Sequence, residues 1–122
     1  MNYHYHLTLI ILLAAGLHAG FLEEKQACQK GDGAACTQAA NYLMETKQRY
    51  EAGVESGLAK ALVYAKRGCA LEDADGCLFA AMVLYYGDDW EKIAADKEAG
   101  RRYLKRACEL GKEDICSYLP SF

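Results

Sequence analysis

The chain has 122 residues, of which 52% are hydrophobic and 25% are charged, and its formal net charge is −3. This length and composition are typical of one small globular domain and exclude an intrinsically disordered chain. The single proline excludes a proline-rich linker. Acidic and basic residues are interspersed without a basic stripe, so nucleic acid is not an expected partner.

The N-terminal segment has the features of a secretory leader. Residues 1–19 contain no Lys, Arg, Asp or Glu, and a nearly unbroken apolar run of 11 residues extends from Leu7 to Leu17. Such a run is typical of a signal peptide and is too short to cross a bilayer, which takes roughly 20 apolar residues. Residues 1–19 are therefore predicted to be a signal peptide, and residues 20–122 an exported domain without stable membrane insertion. The missing N-terminal Lys or Arg leaves an uncleaved membrane anchor as the alternative.

Six cysteines follow the leader as three pairs, each with seven residues between its members. An even number in a small exported chain indicates disulfides, and the spacing favours bonding within each pair among 15 possible connectivities. Residues eight apart on one helix are about 12 Å apart, whereas bonded cysteines have Cα atoms roughly 4.4–6.8 Å apart, so the chain must reverse inside each interval. The alternative of metal-binding thiols lacks the close spacing of a zinc site. The predicted bonds are Cys28–Cys36, Cys69–Cys77 and Cys108–Cys116, with no metal and no cofactor.

The cysteine pairs mark an internal repeat. Cys28 and Cys69 are 41 residues apart, and Cys69 and Cys108 are 39 apart. The string Tyr-x-Lys-Arg-small-Cys-x-Leu begins at Tyr64 and again at Tyr103. A period near 40 with helical spacing predicts an all-α fold, a short α/α solenoid of disulfide-stapled helix pairs. About two and a half repeats are expected, over residues 28–68, 69–107 and 108–122.

The helices can be placed in chain order from apolar spacing and from turn residues. Residues 21–30 are predicted to be the end of a preceding second helix of a pair. The first and second helices of each pair then alternate, and Pro120 stops the last of them. The predicted bounds are Ala34–Thr46, Leu58–Cys69, Gly76–Tyr86, Asp96–Leu110 and Glu113–Leu119.

These motifs resemble a known repeat family. The loop that starts at Tyr50 and contains Gly53 and Val54, and the spacing of Lys60, Ala61, Tyr64 and Lys66, resemble the Sel1-like (TPR-like) repeat. The cysteine spacing and the run Leu84-Tyr85-Tyr86-Gly87 resemble the Helicobacter-type cysteine-rich proteins within that family. The resemblance covers about residues 22–119. The repeats here are a few residues longer than usual, the array is short, and Asp88-Asp89-Trp90 replaces a Gly-Val turn.

The resemblance implies a possible enzymatic activity, because this cysteine-rich family is commonly labelled β-lactamase. A serine β-lactamase needs Ser-x-x-Lys, and none of Ser56, Ser117 and Ser121 has a Lys three residues later. A zinc β-lactamase needs histidine ligands, and all three histidines lie in the predicted leader. The catalytic residues of such a hydrolase are therefore unknown, and the hydrolase remains the alternative function.

Two loops carry residues with more than one interpretation. Asp73-x-Asp75-Gly76 starts like a calcium loop but has Leu84 where the twelfth position needs Glu, so an acidic cap on the next helix is favoured. Trp90 follows two aspartates, and it is either an exposed anchor for a partner or a side chain packed between the helices of the second repeat. Tyr64 and Tyr103 occupy equivalent repeat positions, which favours packing over ligand binding.

The main candidate function is a binding or interaction module for an unknown protein, peptide or cell-wall fragment. In a solenoid of helix pairs the first helices line the concave face, so their outward residues form a groove. The second repeat's contribution is unusually apolar, and it either binds a ligand or packs under the final helix and the Trp90 loop. The predicted groove residues are Gln38, Asn41, Glu45, Phe79, Met82 and Tyr86.

The predicted leader generates the first testable expectation. Cleavage after Ala19 by the general secretion route should give an exported protein, periplasmic or secreted, whose N-terminus lies near Gly20. N-terminal sequencing of the exported form is the measurement. Recovery of intact chain that begins at Met1 in the membrane fraction would support the uncleaved anchor instead.

Overall fold

The computed structural model of the chain describes residues 20–45 and 57–121, and these residues are all-helical. Apart from one isolated bridge between Asp88 and Ile93, the described part contains no β-structure. The helices are residues 20–29 (α1), Gly33–Met44 (α2), Gly57–Ala70 (α3), Ala74–Tyr86 (α4), Lys97–Glu109 (α5) and Glu113–Cys116 (α6), followed by a 3-10 turn at Leu119–Ser121.

Consecutive helices pack side by side along the chain. Helix α2 packs on α3, α3 on α4, and α4 on α5, and α2 also contacts α4 across the pair. This arrangement is an all-α, solenoid-like stack of helix pairs, and it confirms the predicted fold class. The three disulfides described below are typical of a protein in an oxidising, extracellular environment.

No helix in residues 20–45 or 57–121 is both long enough and apolar enough to cross a bilayer. The predicted signal peptide and its cleavage site lie outside the described residues.

Aspartates fix where three of the helices begin. Each lies just before its helix and accepts a hydrogen bond from the backbone N–H three residues later, which satisfies an otherwise unpaired donor of the first turn. Helix α4 consequently starts at Ala74, two residues before the predicted Gly76. The cap bonds are Ala35 N–H to Asp32 (3.1 Å), Gly76 N–H to Asp73 (3.1 Å) and Ala99 N–H to Asp96 (3.0 Å).

The predicted end of the last helix was wrong. Helix α6 stops at Cys116 rather than at Leu119. The hydroxyl of Ser117 donates to the main-chain oxygen of Asp114 (2.7 Å), a local bond that competes with continued helix. Leu119 and Pro120 belong instead to the separate 3-10 turn at Leu119–Ser121. Helix α2 ends at Met44, whereas the predicted end, Thr46, lies outside the described residues.

Three disulfides close the helix reversals, with the pairing that the cysteine spacing favours. Their Cα–Cα distances of 4.6, 4.5 and 5.0 Å require the chain to turn back within eight residues, as the sequence predicted. The described residues contain no free cysteine. The bonds are Cys28–Cys36, Cys69–Cys77 and Cys108–Cys116.

The same turn occurs at all three reversals. Three residues after the first cysteine of each pair, the backbone adopts a left-handed conformation, with φ of +98° at Gly31, +67° at Glu72 and +109° at Gly111. Its N–H donates to the carbonyl oxygen of that cysteine at 3.0 to 3.1 Å. This geometry satisfies a carbonyl at the helix end and suits glycine, so Glu72 is the strained member of the set.

Small residues dominate the core and allow the helices to approach closely. Alanines of α2, α3 and α4 are fully buried against Leu43, Leu62 and Leu84. A Cβ added at Gly68 would lie 2.6 Å from the hydroxyl oxygen of Thr37, and one at Gly76 would lie 2.8 Å from a main-chain oxygen. The junction of α2, α3 and α4 therefore has no room for larger side chains.

The repeated turn generates a matched set of variants. Glu72→Gly should raise the free energy of unfolding by about 0.5–1 kcal/mol, because glycine adopts the left-handed conformation without steric cost. Gly31→Ala should lower it by about 1 kcal/mol, since open space surrounds that position and only the conformation is penalised. Urea unfolding followed by circular dichroism measures both. Glu72→Ala removes the same carboxylate without relieving the backbone, and a gain as large as that of Glu72→Gly would contradict the explanation.

Candidate functional site

An open groove of about 480 Å³ lies between α2 and α4, the first helices of consecutive pairs. Four of the six predicted groove residues line it, namely Gln38, Asn41, Phe79 and Met82. On each helix the lining residues recur at intervals of three or four positions, as in Ala34, Gln38 and Asn41, so each wall is one helix face. The remaining lining residues are Ala34, Thr37 and Met44 of α2, Asp73 at the start of α4, and Asp75, Leu78 and Val83 of α4.

The α2 wall presents two amide side chains to solvent. Gln38 and Asn41 are exposed, and neither side chain makes a hydrogen bond within the described part of the chain. Each amide has both donor and acceptor groups. This wall can therefore bind a ligand that offers both kinds of hydrogen-bonding group, as a peptide backbone does.

The α4 wall is apolar. Phe79 is half-buried and packs against the buried cluster that contains Ala80 and Leu84, so part of its ring belongs to the core. Met82 has 39% of its surface exposed and is not among the side chains packed against that cluster. The two residues of the predicted apolar patch therefore differ in role. Phe79 contributes to the core as well as to the groove, whereas Met82 is open to a ligand.

Two carboxylates form one end of the groove, and both are held in place. Asp73 accepts hydrogen bonds from the hydroxyl of Thr37 and from the N–H of Gly76. Asp75 lies 2.6 Å from the ammonium of Lys112. The hydrogen bond and the negative charge of Asp75 raise the pKa of Lys112. The capping role of Asp73 agrees with the interpretation favoured over a calcium loop.

The two predicted groove residues at the helix ends, Glu45 and Tyr86, do not line this groove. Glu45 follows the last residue of α2 with extended backbone, so it has already left the helix face. Tyr86 is the last residue of α4, is 64% exposed, and packs edge-to-face on Tyr85 with ring centroids 5.1 Å apart. Both positions lie beyond Met44 and Val83, where the groove ends.

A second apolar depression of about 330 Å³ adjoins the groove on the C-terminal side. It shares Leu78 and Met82 with the first, and Leu104, Ile115 and Tyr118 complete it. The sequence analysis did not predict Leu104, Ile115 and Tyr118 as part of a site. The short interval between Cys116 and Pro120 was an available signal, because it leaves the last helix too short to cover this face of α4. The two depressions form one apolar surface on α4.

Trp90 is 90% exposed, so it is not packed between the helices of the second repeat. No residue of its loop lines either apolar depression on α4. Tyr64 and Tyr103 are half-buried and pack against the core, which agrees with the packing interpretation. Tyr64 also meets Phe21 edge-to-face at 5.8 Å.

Ser117 donates its hydroxyl hydrogen to the main chain, and Ser56 lies outside the described residues. Across residues 20–45 and 57–121, no group of three or more His, Cys, Asp or Glu side chains is placed to hold a metal ion.

Comparison of the chain with protein-family models, with curated proteins and with solved structures returned no match. Its function is therefore inferred from the groove and from the residues that surround it.

The bond between Thr37 and Asp73 joins two repeats across the groove floor, and the cap of α2 offers a matched control. Asp32→Ala should cost about 1 kcal/mol of unfolding free energy through loss of a helix cap. Asp73→Ala should cost about 1–2 kcal/mol more, because it also leaves the buried hydroxyl of Thr37 without its inter-repeat acceptor. Chemical denaturation of both variants checks the difference. Equal losses would show that the inter-repeat bond contributes nothing measurable.

Proposed function

We propose that this chain is an exported Sel1-like repeat protein that binds a peptide segment, of a protein or of a cell-wall ligand, in the groove between α2 and α4. The observation that carries the proposal is the pairing of two unengaged amide side chains, Gln38 and Asn41, with an apolar wall around Met82. A ligand site is typically concave, mostly apolar and supplied with a few polar groups that fix orientation.

The apolar wall supports binding of side chains rather than of ions. Leu78, Phe79, Met82 and Val83 form a continuous strip along α4. Burial of apolar surface contributes roughly 25 cal/mol per Å², and a methionine adapts its flexible side chain to ligands of different shape. A hydrophobic ligand side chain seated on this strip would gain affinity without a specific polar partner.

The amide wall and the carboxylate end support an orientation for the bound segment. Gln38 and Asn41 lie one helical turn apart, so their amides can pair with successive groups of an extended backbone. Lys112 pairs with Asp75, so the net negative charge at the far end of the groove is that of Asp73. That charge favours a ligand whose N–H or ammonium donors point towards the start of α4.

The rigidity of the walls supports useful affinity from a small contact area. Each wall helix starts at an aspartate cap and follows a disulfide-closed turn. Little conformational freedom remains to be lost on binding, which lowers the cost of association. The period near 40 and the cysteine spacing support the assignment to Sel1-like repeats, and the three disulfides support export.

The groove can be tested with a displayed library of random nine-residue peptides, with dissociation constants of selected peptides measured by calorimetry. Met82→Glu should weaken binding at least about tenfold, which corresponds to about 1.4 kcal/mol, because it introduces a charge into the apolar wall. Val63→Glu is the matched control, since Val63 is 61% exposed on α3 and does not line the groove. Asn41→Ala should weaken binding by a smaller factor.

Circular dichroism and urea unfolding of each variant establish that the fold is retained. Selection that yields no saturable binder, or equal weakening by Met82→Glu and Val63→Glu, would overturn the proposal that the groove binds a peptide. A chromogenic cephalosporin supplied to the same proteins tests the hydrolase. We expect no turnover, and turnover that disappears in Met82→Glu would replace the binding function with the hydrolase that the family resemblance implies.

A further inference from the structure

The chain's only tryptophan lies at an exposed position in residues 88–93, here called the Trp90 loop, between α4 and α5. Its side chain is 90% exposed. An indole can bury 150–250 Å², so at roughly 25 cal/mol per Å² the folded chain forgoes several kcal/mol of hydrophobic stabilisation here. A side chain of this size in open solvent is a candidate contact for a partner.

The backbone of the Trp90 loop is fixed by its own hydrogen bonds. Asp88 and Ile93 exchange both backbone hydrogen bonds at 2.8 Å. The carboxylate of Asp88 also accepts from the N–H of Glu91 at 2.8 Å, one residue beyond Trp90. The indole is thus carried on a closed, internally bonded turn.

The loop is also joined to a distant helix. Both carboxylate oxygens of Glu91 accept from the N–H of Leu58 near the start of α3, at 2.9 and 2.7 Å. Gly87, the residue before the loop, has φ of +67°, and a Cβ there would lie 2.7 Å from the main-chain nitrogen of Ala95. The backbone before the loop therefore lies directly against the backbone that follows it. Because these contacts hold the turn against the helices, binding at Trp90 needs little ordering of the backbone.

The charges beside the indole restrict the partner. Asp88 and Glu91 use their carboxylates within the structure, whereas Asp89 is exposed and makes no ion pair within the described part of the chain. A carboxylate at this position repels anionic phosphates, so a lipid surface and a nucleic acid are both disfavoured. An aromatic face next to a carboxylate instead suits a cation, which the ring and the charge both attract.

The chain itself shows this pairing at a neighbouring aromatic residue. The ammonium of Lys97 lies 5.5 Å from the ring centroid of Tyr85, and the guanidinium of Arg101 lies 5.9 Å from it. No cation of the described residues lies over Trp90, although indole is the better acceptor of the two rings. Within residues 20–45 and 57–121, the better ring is therefore open to a cation.

We propose that Trp90 and Asp89 form a second binding site, separate from the groove, that receives an arginine or lysine side chain of a basic protein segment. The cation would lie over the indole face and pair with the Asp89 carboxylate. Neither residue lines the groove between α2 and α4, so the site does not depend on the function proposed there.

Binding at this site can be followed by intrinsic fluorescence, because the indole fluorescence of the chain comes from its single tryptophan in this loop. The probe is a 12-residue peptide of alternating Arg and Gly, and the comparison peptide has Gln in place of Arg. We expect saturable quenching by the Arg peptide only, and weakening with salt. Asp89→Asn should raise the dissociation constant about twofold to fivefold, as loss of an exposed charge pair does.

Three controls keep the result specific. Glu23→Gln removes an exposed carboxylate on α1 and should leave the dissociation constant unchanged. Trp90→Phe should retain weakened binding by calorimetry, whereas Trp90→Ala should abolish it. Met82→Glu should bind the Arg peptide as the parent chain does, which separates this site from the groove.

Equal response to the Arg and Gln peptides, or equal loss in Glu23→Gln and Asp89→Asn, would overturn the proposal. Quenching by neutral oligosaccharides or by phosphatidylserine vesicles in place of the Arg peptide would assign the loop to a different class of partner and would also overturn it.

Discussion

Each reversal of this chain combines a disulfide with a left-handed residue, and the helix stack depends on that combination. The disulfide brings the end of one helix within about 5 Å of the start of the next, and the left-handed residue satisfies the free carbonyl of the ending helix. Closing a nine-residue loop contributes roughly 2.5 kcal/mol in the chain-entropy model, so three loops are comparable to the stability of a small domain. A core composed mainly of alanine needs such support, because alanine buries little apolar surface.

The same small core residues determine where the groove forms. Glycine at positions 68 and 76 allows α2, α3 and α4 to meet without intervening side chains. Leu78 and Met82 lie on the face of α4 that lines the groove, on the same helix as Gly76 of this junction. Substitutions that enlarge the core residues would move these helices apart, so they are expected to change the groove as well.

Local spacing in the sequence was sufficient for the order of the helices and for the disulfide pairing, and it placed Gln38, Asn41, Phe79 and Met82 on facing helix surfaces. These features repeat every turn or every 40 residues, so they can be recognised without knowledge of the tertiary fold. Glu45 and Tyr86 lie outside the groove because helix ends, unlike helix faces, depend on caps. The loop that carries Trp90 is joined to α3 by the bond between Glu91 and Leu58, 33 residues apart, which no local pattern encodes.

The third reversal shows how one substitution between repeats shapes the binding surface. The aspartate that caps α2 and α4 follows the first cysteine of its pair by four residues, and Lys112 occupies that position in the third pair. Lys112 gives no side-chain cap and instead reaches back to Asp75. Helix α6, without its cap, spans only four residues and cannot cover α4 as α4 covers α2. The apolar face around Leu78 therefore stays open, and the depression that it lines adjoins the groove.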